Sequence, residues 1–422
     1  VSRTSPGRAD APLFPLRSVV LGAFVPSLLF EVGAGAMMPV IAITATERGA
    51  TLAVAGVMAA LLPVGQILAD LPAGALAAKL GDRRAMLLAG AVAAVGFLGL
   101  ALAPNLAVLA ASVLLTGASS AVFNLARHSY LTDITPALQR ARVLSTLAGV
   151  HRIGFFIGPF AGAAIIHGGD VQNAYWLAVA TSLLATLVVA AVRDEPTERA
   201  SPGDSSAHAA AVPGARRPTM LAVLREHRTV FTTLGFAVLA VGAVRGARQT
   251  VLPLWGEHLG FDPAVTSVIF GLAGGVDMLL FYPAGKVMDR FGRLWIGIPS
   301  MVVMAVGLVL LPFATTVGAV AVAAMVIGLG NGMGSGVLMT LGADVAPAGQ
   351  RSQFLGIWRV FQDTGSAVGP LVISAGAAIG SLAAGIWTMS ALALGAAGAL
   401  GRWVPRWSVH ANRTTRRRAG IG

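Results

Sequence analysis

The chain has 422 residues, 56% of them hydrophobic and 11% charged, with a formal net charge of +12 and no cysteine. A soluble domain carries about 25% charged residues, so the charges here are too few to solvate a globular surface of this size, and lipid is the expected solvent. The lack of cysteine excludes disulfides, thiolate metal sites and thiol redox switches, and no G-x-x-x-x-G-K-[ST] run supplies an ATP-hydrolysing P-loop.

In chain order, a polar, basic start (Arg3, Arg8, Arg17) gives way to an apolar run over 18–43. A signal-peptide apolar region is about 7–15 residues long, so this run is read as a retained first span. Five more follow at 52–76, 85–103, 106–131, 143–166 and 172–192, then six at 230–254, 263–287, 294–313, 317–341, 354–378 and 381–401. Each is long enough for a hydrocarbon core about 30 Å thick, and each must be a helix because lipid leaves exposed backbone groups unsatisfied. The predicted fold is an all-α membrane protein of twelve transmembrane helices in two pseudo-symmetric six-helix bundles.

The loops orient it. With the N-terminus inside, 24 of the 30 Lys and Arg fall on cytoplasmic segments, and the outer loops hold Arg48 alone. By the positive-inside rule both termini are cytoplasmic, in a cell (inner) membrane. This placement in short loops argues against nucleic acid as the partner of the basic charge. The stretch 193–229 contains Pro196, Pro202, Gly203, Pro213, Gly214 and Pro218. It is predicted to be a disordered cytoplasmic linker between an N-terminal half, 1–192, and a C-terminal half, 230–422. Within it, 221–228 is expected to form a short amphipathic helix on the membrane, and Arg413, Arg416, Arg417 and Arg418 are expected to meet anionic headgroups.

Adding 211 to a first-half position lands on its counterpart. Pro72-Ala73-Gly74 maps onto Pro283-Ala284-Gly285, Gly81 onto Gly292, Gly117 onto Gly328 and Asp133 onto Asp344. From Pro136 to Pro159 the match to Pro347–Pro370 is ungapped, with eight of 24 positions identical. Aligned Pro, Gly, Gln and Arg at one offset mark a parallel duplication, as in transporter halves related by an axis along the membrane normal.

These residues resemble the Major Facilitator Superfamily. Gly285-Lys286-Val287-Met288-Asp289-Arg290-Phe291-Gly292-Arg293 is similar to that family's cytoplasmic-gate loop. The first-half copy carries Gly74, Gly81, Arg83 and Arg84, but Ala78 replaces the family's Asp, and Asp82 stands where Arg is usual. Gly154, Gly158, Pro159 and Gly162 resemble the family's antiporter motif, and Gly365, Gly369 and Pro370 repeat it in span 11. Small residues there allow close helix approach. The resemblance implies alternating access, a cavity lined by spans 1, 4, 7 and 10, and spans 5 and 8 facing each other across the halves.

An ionisable side chain at mid-bilayer costs at least about 2.5–3.5 kcal/mol and should face a partner or water. Counting depth at about 1.5 Å per residue pairs Arg152 with Asp277 and Asp70 with Arg359. These are the expected inter-half ties, related by the pseudo-two-fold, that close the cytoplasmic side when the outer side is open. Glu31 is the first candidate for a proton-coupling site, with Arg245 expected opposite it; Asp277, Asp363 and His151 are alternatives. Arg245, Arg248 and Arg127 supply cavity charge. Asn331 and Met333, from the glycine-rich run 328–336, and Phe123 and Asn124 are expected to line the cavity.

The predicted function is proton-coupled efflux of a small amphiphilic or drug-like molecule by a monomer, with no cofactor, metal or nucleic acid. Two alternatives are a symporter or uniporter for a small metabolite and a non-transporting receptor or lipid-handling protein. An enzyme is not expected, because no motif places a nucleophile beside a base or groups metal ligands.

Overall fold

A computed structural model describes residues 19–135, 137–167, 170–192, 220–347 and 349–420. Among these the chain is helical, with no strand. Twelve long helices follow in order. The first six are α1 Val20–Glu47, α2 Leu52–Leu80, α3 Asp82–Leu102, α4 Leu106–Ile134, α5 Ala137–Ile166 and α6 Asn173–Ala191. The second six are α7 Arg228–His258, α8 Pro263–Phe291, α9 Leu294–Phe313, α10 Val317–Val345, α11 Arg351–Ala378 and α12 Leu382–Trp407. Eleven are long and apolar enough to cross a membrane; the other is α11, which carries Arg359 and Asp363. It packs against α2, α7 and α12, and Arg359 and Asp363 pair with each other.

Local sequence sets the ends. Thr51, Asn105, Asp262, Thr316 and Ser381 accept hydrogen bonds from the first turns of α2, α4, α8, α10 and α12, the usual capping role of short polar side chains. Gly81 and Gly292 stop α2 and α8 at φ 80° and 106°, a backbone region costly for any residue with a Cβ. The same repeated glycine makes the same turn after α2 and after α8.

Packing repeats with an offset of six helices. α1 packs on α5 and α6, α2 on α4, and α3 on α4 and α6; correspondingly α7 packs on α11 and α12, α8 on α10, and α9 on α10 and α12. The two sets meet along α2 with α11 and α5 with α8. Large apolar side chains such as Leu68, Leu187, Leu279 and Val322 point outward, as lipid-facing surfaces require.

Most of the linker 193–229 lies outside the described residues, as do Arg3, Arg8 and Arg17. Its end forms a short helix, Met220–Glu226, whose Val223 is buried and whose Glu226 accepts from Gln350 of the loop before α11. That helix is docked on protein rather than lying only on a membrane surface. The C-terminal helix Arg413–Arg418 is docked too. Arg413 stacks on Phe291, Arg416 donates to the Arg290 carbonyl, and Arg293 and Leu294 donate backbone N–H groups to His410 and Ala411.

Candidate functional site

Helices α1, α2, α4 and α5 on one side and α7, α8, α10 and α11 on the other enclose a cavity of about 480 Å³, within the usual size of a small-molecule site. At the end bearing Arg48, the sparsely charged end, apolar contacts seal it. Met38, Val40 and Ile41 are buried against the second six helices, Phe160 covers Gly271, and Gly56 abuts Leu254 and Ser374. Thr46 donates to Glu257 Oε1 at 2.8 Å. Toward the opposite, basic end, ion pairs bridge the two sets of helices.

The first cluster sits on α1, α4 and α5. Glu31 is 4% exposed; His151 Nδ1 lies 2.8 Å and Arg127 Nη1 4.0 Å from its Oε1. Arg127 is 2% exposed, stacks over Phe123 and donates to Asn124 Oδ1 at 2.7 Å. The His151 side chain is 42% exposed and lines the cavity, so it stands between open space and the buried carboxylate. Gly154 makes this possible, because a Cβ there would strike Glu31 Cβ and the Leu28 carbonyl. Gly158 and Gly162 continue the contact along Val32 and Ala36. In the second six, Gly365 and Gly369 press α11 against Leu239, Ala243 and Ala247 of α7 in the same way. The antiporter-like motif is thus a packing seam present in both halves, and in the first it also seats Glu31.

The second cluster sits on α5, α7, α8 and α10. Asp277 receives Arg152 at 3.3 Å, Arg248 at 3.4 Å and Asn331 Nδ2 at 2.7 Å. Arg152 also donates to Ser335 at 3.1 Å and lies over the Phe281 ring. Arg245 donates through Nε to Asn331 Oδ1 at 3.0 Å and through Nη2 to the Asn331 carbonyl at 3.2 Å. The glycine-rich run explains the geometry. α10 stops at Met333, turns through Gly334 to Gly336, where φ is 81°, and resumes at Val337. Gly332 lets the break press on the Asp277 backbone. A helix end presents unsatisfied carbonyls that attract cations.

The third cluster is nearer the basic end. Arg359 joins Asp70 at 3.6 Å and Asp363 at 3.3 Å, and its side chain is 56% exposed.

Several expectations need correction. Arg245 is held by Asn331, and the residues at Glu31 are His151 and Arg127; depth counting misses the rotation of each helix about its own axis. Phe123 is fully buried and stacked on Phe30, and Met333 is likewise outside the cavity lining, whereas Asn124 and Asn331 line it. Arg152–Asp277 and Asp70–Arg359 span the expected helix pairs, but the 211-residue offset carries them onto Asp363–Gln66 and Phe281–Ala148. The pseudo-two-fold relates the helices, not the ion pairs. Both pairs coexist with the apolar seal, so in this conformation both ends are bridged. Reasoning from sequence passed over Ser335; the offset was the available signal, since it maps Ser335 onto Asn124.

The loops after α2 and α8 differ. Arg293 grips Asp344 at 2.9 and 3.3 Å and lies 3.5 Å from Asp289. In the first half the counterparts of Arg293 and Asp344 are Asp82 and Asp133, both acidic. There Arg83 instead donates to the carbonyls of Val189 and Ala190 on α6 and its end, and Arg84 is exposed. Gly74 and Gly285 lie one helical stretch before these turns, in open surroundings, and Arg290 is exposed.

Two repeated six-helix sets around a polar cavity form the architecture of a membrane transporter. The chain belongs to the Major Facilitator Superfamily, whose family model matches residues 23–370 and 234–419. It is 27% identical over 394 residues to the class C tetracycline resistance protein of Escherichia coli, covering 90% of this chain and 93% of that one. It is 23% identical over 352 residues to the quinolone resistance protein NorA of Staphylococcus aureus (strain COL), covering 82% and 87%. Among solved structures it shares the fold of a D-xylose–proton symporter, with a TM-score of 0.70, 14% identity, and coverage of 94% of this chain and 98% of that one.

Proposed function

We propose that this transporter exports small amphiphilic molecules in exchange for protons, by alternating access between rigid halves, 1–192 and 230–422, joined by the linker 193–229. In this reading the basic end and both termini face the cytoplasm, in keeping with the Lys and Arg asymmetry. Two relatives named for resistance to chemically different drugs favour export of foreign molecules.

The observation that carries the coupling is Glu31, a buried carboxylate reached from the cavity through His151. Intramembrane ionisable groups of this kind mark proton routes. With the cavity open outward, a proton passes by His151 to the Glu31 carboxylate. Neutral Glu31 no longer attracts Arg127, and the α1–α5 seam can shift. Facing inward, Glu31 gives the proton up, recovers Arg127, and substrate loads. Asp277 and Asp363 are less suited, because each already faces a guanidinium at 3.3 Å.

The test is uptake of a fluorescent quinolone into inside-out vesicles with an acid interior. Glu31→Gln is expected to abolish gradient-driven uptake while quinolone counterflow, which needs no net proton movement, persists. Gradient-driven uptake at the normal rate in Glu31→Gln vesicles sinks the role given to this residue.

A further inference from the structure

We propose that the second cluster is an anion-binding subsite, and that the transported amphiphile carries a carboxylate, or an equivalent single-negative group, that docks on Arg245. This rests on the reading of the central cavity as the substrate site and names the chemistry it selects.

The argument begins with charge. Arg152 and Arg248 share the Asp277 carboxylate, and Arg245 stands beside them on Asn331, so three guanidiniums crowd a corner with one carboxylate. Asp277 is fully engaged, since Arg152, Arg248 and Asn331 already occupy its oxygens. Arg245 makes no ion pair among the described residues; Asn331 holds its Nε and Nη2 and so leaves Nη1 as the remaining donor edge of a side chain that lines the cavity. Arg248 is 5% exposed, also lines the cavity, and has no hydrogen-bond partner for Nε or Nη1. Arg248 has Asp277 as its counter-charge, whereas Arg245 has only a neutral partner; a cation held away from water without a counter-charge is costly, and a structure keeps such a group where something else supplies that charge.

The rest of the chamber agrees. The other carboxylates that line the cavity already have basic partners, Glu31 in His151 and Arg127 and Asp363 in Arg359. The first-half side of the lining adds apolar surface from Phe30, Met37, Phe155 and Phe156 among the polar Gln66, Asn124 and His151. A ligand with an anionic head and an aryl body matches both the arginines and this apolar surface. The broken α10 holds Arg245 in place from behind through Asn331, so the guanidinium is oriented before the ligand arrives, which lowers the ordering cost of binding.

The experiment uses the full-length chain in lipid nanodiscs and three isosteric probes: naphthalene-2-carboxylate, naphthalene-2-carboxamide and naphthalen-2-ylmethylamine. Thermal stability is measured against probe concentration. The carboxylate is expected to raise the melting temperature with an affinity at least about tenfold above that of the amide, with the amine weakest, as for a charge-assisted hydrogen bond. Arg245→Gln is expected to weaken carboxylate binding by about ten- to a hundredfold and leave the amide unchanged, with Arg245→Lys between the two. Should Arg245→Gln fail to fold, the acid–amide–amine order on the unaltered chain still decides. The inference is overturned by equal or tighter binding of amide or amine, by an Arg245→Gln chain that keeps carboxylate affinity, or by no shift with any probe at millimolar concentration. Carboxylate binding with no vesicle transport sinks the export reading and leaves the subsite standing. Proton-driven uptake of the quinolone with no carboxylate preference does the reverse.

Discussion

The two halves share a backbone plan and differ in where they keep charge. The first half buries the Glu31 carboxylate midway along α1, and the offset position in the second half is Gly242. The second half places Asp277 on α8, where the first has Gln66, and sets Arg245 and Arg248 on α7, where the first has Ala34 and Met37. α4 runs unbroken through Leu106–Ile134, whereas its counterpart α10 breaks at Gly334–Gly336. Duplication supplied two equal bundles. Substitution then made one side a buried carboxylate with a histidine doorway and the other a cationic pocket braced by a broken helix. A proton and an anion require opposite surroundings, so a symmetric cavity would serve neither well.

The largest effect is expected where that asymmetry is strongest. Asp277→Leu leaves Arg152 and Arg248 without their shared carboxylate and should cost about 3–5 kcal/mol of stability, as for breaking a buried ion pair. Gln66→Leu, at the matching position, should cost about 1 kcal/mol or less. Denaturant titration of the purified proteins checks both, and equal losses mean the charge cluster is not what distinguishes the halves.

A smaller effect tests where the halves agree. A Cβ at Gly158 would strike the Val32 carbonyl, and one at Gly369 the Ala243 carbonyl. Overpacking of this kind costs about 1–3 kcal/mol, so Gly158→Ala and Gly369→Ala should destabilise similarly in thermal unfolding. If transport falls far more in the first than the second at matched stability, the α1–α5 seam acts in coupling beyond packing.

The smallest effect is expected at the exposed tie. Arg359 and Asp70 are solvent-accessible, and such pairs contribute about 0–1 kcal/mol, less in salt. Asp70→Asn should leave stability nearly unchanged while altering transport rate. A stability loss comparable to that of Asp277→Leu would make this tie a structural clamp.

Much of the plan was readable before any coordinates. Lipid demands long apolar helices with internally satisfied backbones, so composition and run length gave the spans, and the 211-residue offset gave the repeat. Arg152 and Asp277 were placed at one height by counting along their helices, and they lie 3.3 Å apart. The same counting set Arg245 against Glu31, where the structure puts His151 and Arg127.

Sequence by itself determined that this is a duplicated twelve-helix membrane protein, that polar groups interrupt the spans, and roughly how far along each helix they lie. Tertiary structure alone decided their partners: His151 on Glu31, Arg152 and Arg248 on Asp277, and Asn331 held at the break in α10. Depth along the membrane normal follows from rise per residue, a local property of every helix. Which side chains meet depends on how each helix is rotated and tilted against its neighbours, and that is set by glycine contacts between segments far apart in the chain.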